Sequence, residues 1–378
     1  MKLAVLVILC SLSVYAHPSL KAAEICTADK CKIEDDCRCS SRINPINNAD
    51  DPAPQLIAIT VSESIVQTLY DNYLQPLFFD RTNPDGSPVG LTFYVPHEYT
   101  DYYLVQDLYL RGYEIGDHSI TKTPNQTYWR EATPDDLEQE FSGQKTIIST
   151  FANIPAEDIV GVRTPQLQIE GDTSINAYVT SGLGYDNSWP TYSTERILPY
   201  TLTYASNQKC SATIQCPKDS HPNFWVAPIT NIKGANNTEC NSLATCLVAG
   251  TADEIATWLY NEVDAVRNDN REPLTLRLDS YWFLFTENSY EGFVAFLDKI
   301  KSLDDVFLVS VQDILQWIKN PVSASQYKVP DHSGRTADCH KISCRLMNED
   351  NQERYMMSCV PCPAVYPWKG NPLGEASK

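Results

Sequence analysis

His118 and Lys122 stand four residues apart in the run Gly116-Asp117-His118-Ser119-Ile120-Thr121-Lys122. On a helical turn that spacing aims two side chains at one point, and two histidines so placed would grip a metal ion. A charged ammonium carries donors and no lone pair, so Lys122 cannot ligate. The run therefore holds half of a metal clamp. Ser62-Glu63, Arg163 and Asp279 are the other residues with chemistry to offer near the ends of apolar runs. Ser62, His118 and Asp279 have the composition of a hydrolytic triad, but no turn that could present an oxyanion hole is legible, and that reading is set aside.

The segments that must position these groups alternate between two types. Leu56–Val61 is short, apolar and rich in β-branched residues, as expected of a strand buried on both faces. Further strands are expected at 91–95, 113–115, 159–163, 223–229, 274–278 and 306–310. Helices are expected at 66–73, 104–112, 137–151, 251–267, 290–301 and 311–318. Such alternation predicts a parallel α/β fold of the barrel type, whose chemistry lies past the C-terminal ends of the strands. Ser62, Glu63, His118, Arg163 and Asp279 all fall at such ends. Domain organisation is expected as a leader at 1–16, a Cys-rich segment at 17–54, a barrel at 55–332 and a Cys-rich tail at 333–378. The Pro- and Cys-bearing stretch 186–250 reads as an insertion over one mouth of the barrel.

Lys2, the apolar run Leu3–Leu12 and Val14-Tyr15-Ala16 form a secretory signal pattern, too short to span a bilayer. An extracellular location without membrane anchorage follows as an expectation. Of 13 cysteines, Cys10 lies in that leader, leaving twelve: Cys26, Cys31, Cys37, Cys39, Cys210, Cys216, Cys240, Cys246, Cys339, Cys344, Cys359 and Cys362. In an oxidising compartment an even, clustered set predicts disulfides. Zinc held by Cys37-x-Cys39 and Cys359-x-x-Cys362 is the lesser alternative. Asn125 and Asn236 open glycosylation sequons. The net charge of −19, with Lys and Arg unclustered, argues against nucleic acid as a partner. Aromatic residues are plentiful, Trp225 and Trp282 among them, and serve either as sugar platforms or as packing.

Several stretches together resemble the polysaccharide deacetylase (NodB-homology) family, and within it insect chitin deacetylases that lack a separate chitin-binding module. They include Thr92-Phe93-Tyr94-Val95-Pro96-His97-Glu98, Gly112-Tyr113-Glu114-Ile115-Gly116-Asp117-His118-Ser119-Ile120, Val162-Arg163-Thr164-Pro165-Gln166-Leu167-Gln168, Tyr185-Asp186-Asn187-Ser188 and Glu291-Gly292-Phe293. The resemblance implies a deformed (β/α) barrel with disulfide-rich extensions at both ends. It also implies zinc-dependent removal of N-acetyl groups from chitin. The family's Thr-Phe-Asp-Asp motif supplies a general base and a ligand, His-Ser-x-x-His two more ligands, and a late histidine the acid.

This chain departs from that pattern at most of these positions. Thr60-Val61-Ser62-Glu63 replaces the first motif, so Ser62 stands at the base position and Glu63 at the ligand position. Ser62 does not titrate near neutrality and cannot act as that base. His118 is kept, Lys122 replaces the third ligand, and Asp279 occupies the acid position. Arg163, which in the family orients the base, is kept. Pro165, Leu167, Trp225 and Trp282 are carried over as candidate substrate contacts. The expectation is a secreted, monomeric protein, at most chitin-binding, whose zinc site has degenerated, without cofactor and without activity. The alternatives are an active zinc deacetylase using Glu63 and His118 in an altered site, and a structural protein of a chitinous matrix. The Lys122 ammonium is expected to fill the metal position and bridge Glu63 and Asp279.

Overall fold

The computed structural model describes residues 21–210 and 214–376, so the expected leader lies outside the described residues. Nine strands make one sheet: β1 (Gln55–Val61), β2 (Thr92–Val95), β3 (Glu114–Asp117), β4 (Gly161–Val162), β5 (Tyr185–Asp186), β6 (Tyr200–Thr201), β7 (Trp225–Val226), β8 (Leu274–Arg277) and β9 (Val306–Leu308). Their order is β8-β1-β2-β3-β4-β5-β7-β6, with β9 also on β1. Every pairing is parallel except β6 with β7. The sheet curls into a half-barrel, and because β8 and β6 do not pair it stays open along one seam. β1 is its centre. Ile57 pairs with Leu274 of β8 and Leu308 of β9, and Thr60 pairs with Arg277 of β8 and Thr92 of β2. Two strands thus share one edge of β1 in succession. All seven β1 residues are buried, which explains why the run carries no polar alternation.

Helices cover the sheet: α1 (Tyr102–Leu110), α2 (Pro134–Phe151), α3 (Gly171–Thr180), α4 (Ala252–Arg267), α5 (Tyr281–Phe285), α6 (Ser289–Lys301) and α7 (Val311–Lys319). Their starts follow local chemistry. Asp101 caps α1, Thr133 precedes a proline at the first position of α2, and Thr251–Glu254 and Ser310–Asp313 form capping boxes on α4 and α7. α4 packs closely on α6 at Gly292, where a Cβ would come within 2.7 Å of the Ile255 side chain. A larger residue there would force the helices apart.

Both Cys-rich ends dock on the barrel. The N-terminal segment bridges Ser41 to Leu198, and its Asp36 carboxylate accepts from the indole N–H of Trp225. In the tail, strands Ile342–Met347 and Glu353–Ser358 form a hairpin whose Cys359 N–H donates to the Phe151 carbonyl at 2.8 Å. All twelve cysteines pair: Cys26–Cys39, Cys31–Cys37, Cys210–Cys216, Cys240–Cys246, Cys339–Cys359 and Cys344–Cys362. The alternative of cysteine-held zinc is therefore overturned. Among the described residues, the one trio of metal-ligand type within 4.8 Å, Cys26, Cys31 and Cys39, consists of sulfurs already in disulfides.

Three sequence expectations need correction. The helical run expected at 66–73 continues from Gln67 to Phe78 through a wide turn at Tyr70–Leu74, just before Pro76, whose ring has no N–H to donate into the preceding turn. The strand expected at 223–229 splits. Trp225–Val226 joins the main sheet, while Ile229–Thr230 pairs with Pro190–Thr191. The stretch 186–250 is thus more than an insertion over a mouth: it supplies β6 and β7 to the barrel.

Candidate functional site

Residues past the C-terminal ends of the strands line a cavity of about 710 Å³. β1 delivers Ser62 and Glu63, β3 delivers His118, β4 delivers Arg163, and β8 delivers Arg277 and Asp279. Parallel strands direct all these residues to one face, which is why groups far apart in sequence meet.

The 118–122 segment is a loop, not the helical turn that the i, i+4 spacing suggested. Ser119 and Lys122 both have positive φ, 68° and 45°, a region that non-glycine residues enter only when held. The anchors are visible. Ser119 N–H donates to the Asp117 carboxylate at 2.8 Å, Lys122 N–H to the Ser119 hydroxyl at 3.1 Å, and Thr121 N–H to the buried Glu140 carboxylate at 2.9 Å. So pinned, Lys122 reaches across to β1, and its ammonium donates to the Ser62 carbonyl oxygen at 2.7 Å. No carboxylate oxygen lies within 4.0 Å of the Lys122 ammonium among the described residues. The expected bridge to Glu63 and Asp279 is not formed, because the strained loop sets Lys122 against the end of β1 rather than between the two carboxylates.

Those carboxylates have found hydroxyl partners instead. Glu63 accepts from the Ser280 backbone N–H at 2.7 Å and from the Ser280 hydroxyl at 2.6 Å, and Asp279 accepts from the Ser242 hydroxyl. Burial pushes the Glu63 pKa above its ordinary value, opposed by the two Ser280 bonds. His118 is buried with Nδ1 2.6 Å from the Arg163 carbonyl; a carbonyl only accepts, so Nδ1 carries the proton and Nε2 is left to face other groups. Burial first, and the Lys122 charge second, hold His118 well below the usual imidazole range, so it is neutral.

Arg163 is fully buried over the Tyr94 ring, 4.3 Å from its centroid. It donates to Thr60 at 2.8 Å, to the Ser62 hydroxyl at 3.0 Å and to Asn187. Burial lowers its pKa to about 10, so it remains a cation. Its bond to Ser62 replaces the carboxylate contact that the resemblance implied.

Pro165 and Leu167 line the cavity. Trp225 and Trp282 do not, and both sugar-platform expectations are corrected. Trp225 packs among Tyr94, Tyr185 and Phe307, and Trp282 among Phe283 and Phe293. Two aromatics that the sequence reading passed over, Tyr192 and Tyr281, line the cavity and are 51% and 43% exposed. Ser242, Arg277 and Ser280 were also missed. Arg277 and Ser280 flank Asp279 closely enough to have been suspected; Ser242 lies in an irregular stretch with no local signal. Asn125 and Asn236 are exposed.

No family model matches the chain. Along 97% of its length it is 36% identical to chitin deacetylase 8 of Bombyx mori, of which it covers 99%. The chain belongs to the chitin deacetylase family. Chitin deacetylase 1 of Bombyx mori is 29% identical over 93% of the chain and 68% of that protein. Among solved structures, a putative polysaccharide deacetylase from Mycobacterium smegmatis aligns at a TM-score of 0.45 and 12% identity, over 78% of this chain and 98% of that one. A family 4 carbohydrate esterase pseudoenzyme of Bacillus anthracis aligns at 0.38 and 9%, over 69% and 66%.

The family resemblance implies a catalytic metal, and the residues present here do not fit one. A zinc site needs at least three protein ligands with open geometry. Here one imidazole is available, and the two carboxylates are held by serines, Glu63 by Ser280 and Asp279 by Ser242. Glu63, His118 and Asp279 do not come together within 4.8 Å. The cations Lys122, Arg163 and Arg277 line the same cavity and oppose a further positive charge.

Proposed function

We propose that this member of the chitin deacetylase family is a secreted, non-catalytic saccharide-binding protein that holds a chitin-type chain in the cavity at the strand ends. The carrying observation is the Lys122 ammonium on the Ser62 carbonyl at 2.7 Å. It puts a fixed cation where the family resemblance implies an imidazole ligand, beside a serine where it implies the base. Catalytic groups of one site act as a unit, so losing the base and one ligand removes most of the rate. What remains suits binding. The cavity has room for sugar rings, Tyr192 and Tyr281 offer partly exposed faces for stacking, and Pro165, Leu167 and many hydrogen-bonding groups line the rest. Six disulfides support an extracellular setting.

The test pairs two assays on the purified protein. Acetate release from chitin oligomers is expected to stay at background with added zinc, while the protein co-sediments with chitin. Robust acetate release abolished by Glu63→Ala would instead establish a rebuilt enzyme. Absence of both release and sedimentation would leave the matrix-structural alternative.

A further inference from the structure

Charge is distributed unevenly between this cavity and the rest of the molecule. The chain carries a net −19, yet the cavity floor holds three cations, Lys122, Arg163 and Arg277, against two carboxylates, Glu63 and Asp279. A fourth lining cation, Lys209, is already paired with Glu195 at 2.8 Å. Among the described residues, none of the three floor cations has a carboxylate oxygen within 4.0 Å. Serine hydroxyls satisfy the two carboxylates instead. The three cations bond only to neutral groups, and the two carboxylates bond to serines.

The unused donors are specific. An ammonium has three N–H groups, and Lys122 spends one on Ser62. Arg277 donates from Nη1 to Asn241 at 3.1 Å; its Nε is buried without a partner, and its Nη2 makes no hydrogen bond among the described residues. A buried guanidinium N–H without an acceptor is costly and rare in native proteins. An oxyanion arriving from the cavity would take the free Lys122 and Nη2 donors and neutralise the excess charge at once. Arg163, with four of its five donors spent on Thr60, Ser62 and Asn187, would contribute mainly field.

We propose that the cavity floor between Lys122 and Arg277 binds the anionic group of an acidic saccharide, a carboxylate or a sulfate, so that this protein favours charged sugars over neutral N-acetylglucosamine chains. The inference rests on the saccharide-binding reading above and narrows its ligand class. Tyr192 and Tyr281 then hold the sugar rings while the floor holds the charge.

Calorimetric titration at fixed ionic strength tests it with four probes: a neutral N-acetylglucosamine disaccharide, a glucuronate-containing disaccharide, a sulfated disaccharide and inorganic sulfate. At least one charged disaccharide is expected to bind about tenfold more tightly than the neutral one, the scale of one charge-assisted hydrogen bond. Comparing the two charged sugars identifies carboxylate or sulfate as the preferred group. Arg277→Gln is expected to erase the preference, with thermal denaturation confirming that the variant is folded. Lys122→Met provides a second, independent loss. Equal binding of neutral and charged disaccharides would overturn the anion site and leave the saccharide reading intact. No binding of any sugar would overturn both. Sulfate ion binding as tightly as the sulfated disaccharide would overturn the saccharide part.

Discussion

The Lys122 ammonium rests on the backbone carbonyl of Ser62, not on the side chain of Glu63. The difference matters. A lysine bridging two carboxylates would be a neutralised, closed pocket. A lysine bonded to a carbonyl keeps its charge and two of its donors. Burial lowers its pKa while Glu63 and Asp279 raise it. Lys122→Met should remove one bond to a charged donor and cost about 1–3 kcal/mol of stability. Urea denaturation measures this directly, and an unchanged midpoint would mean that the contact carries no weight.

Replacing Lys122 by histidine removes the opposing charge and supplies a second imidazole. Lys122→His should raise zinc affinity measurably above that of the parent, because two imidazoles and Glu63 then approach the usual three-ligand minimum. Acetate release should remain absent, since Ser62 still cannot act as base. Zinc affinity equal to that of the parent protein would show that the strained loop, rather than the residue type, prevents ligation.

The aromatic residues divide by location. Tyr192→Ala and Tyr281→Ala should each weaken binding of chitin oligomers by ~1 kcal/mol, about fivefold, with little effect on stability. Trp225→Ala should do the reverse. Its indole is core, bonded to Asp36 at 3.2 Å, and truncation should cost ~3–5 kcal/mol of stability. Binding measurements and thermal melts on the three variants separate the two roles; a binding loss confined to the Trp225 variant would contradict this division.

His97 gives the fold an acid limit. It is buried against Tyr102, Tyr366 and Trp368, where the tail meets the barrel, and burial pulls its pKa down to about 3. Above pH ~6.5 the ring is neutral whether the chain is folded or not, and no penalty arises. As pH falls from there toward 3, the unfolded chain takes up a proton that the folded one refuses. Stability is lost over that window by up to ~1.4 kcal/mol per pH unit. His97→Gln should flatten that slope in melts recorded from pH 7 to 4. An unchanged slope would assign the acid sensitivity to other groups.

How far the sequence could be read depended on the length of the signal. β1 was visible because seven buried residues leave a continuous apolar run, and the helices at 137–151 and 251–267 because each keeps an apolar face at helical spacing. β7 was blurred because only Trp225 and Val226 pair, and a two-residue strand has no pattern; Trp225 therefore looked as much like a sugar platform as a core residue. Placing Glu63, His118, Arg163 and Asp279 at strand ends followed from barrel geometry. The partner of Lys122 did not, because it is a backbone carbonyl reached through two positive-φ residues, and neither feature leaves a mark in residue types. The Ser280 and Ser242 contacts were hidden for the same reason: any serine can cap a carboxylate, and only folding decides which does.

The most direct test of the central claim is metal content. Protein purified without chelator, equilibrated with micromolar zinc and dialysed, should retain well below one zinc per chain by elemental analysis, because one free imidazole and a serine-bound carboxylate make a weak site beside three cations. One zinc per chain retained through dialysis, and lost in His118→Ala, would contradict the account and return this protein to the metal-dependent deacetylases.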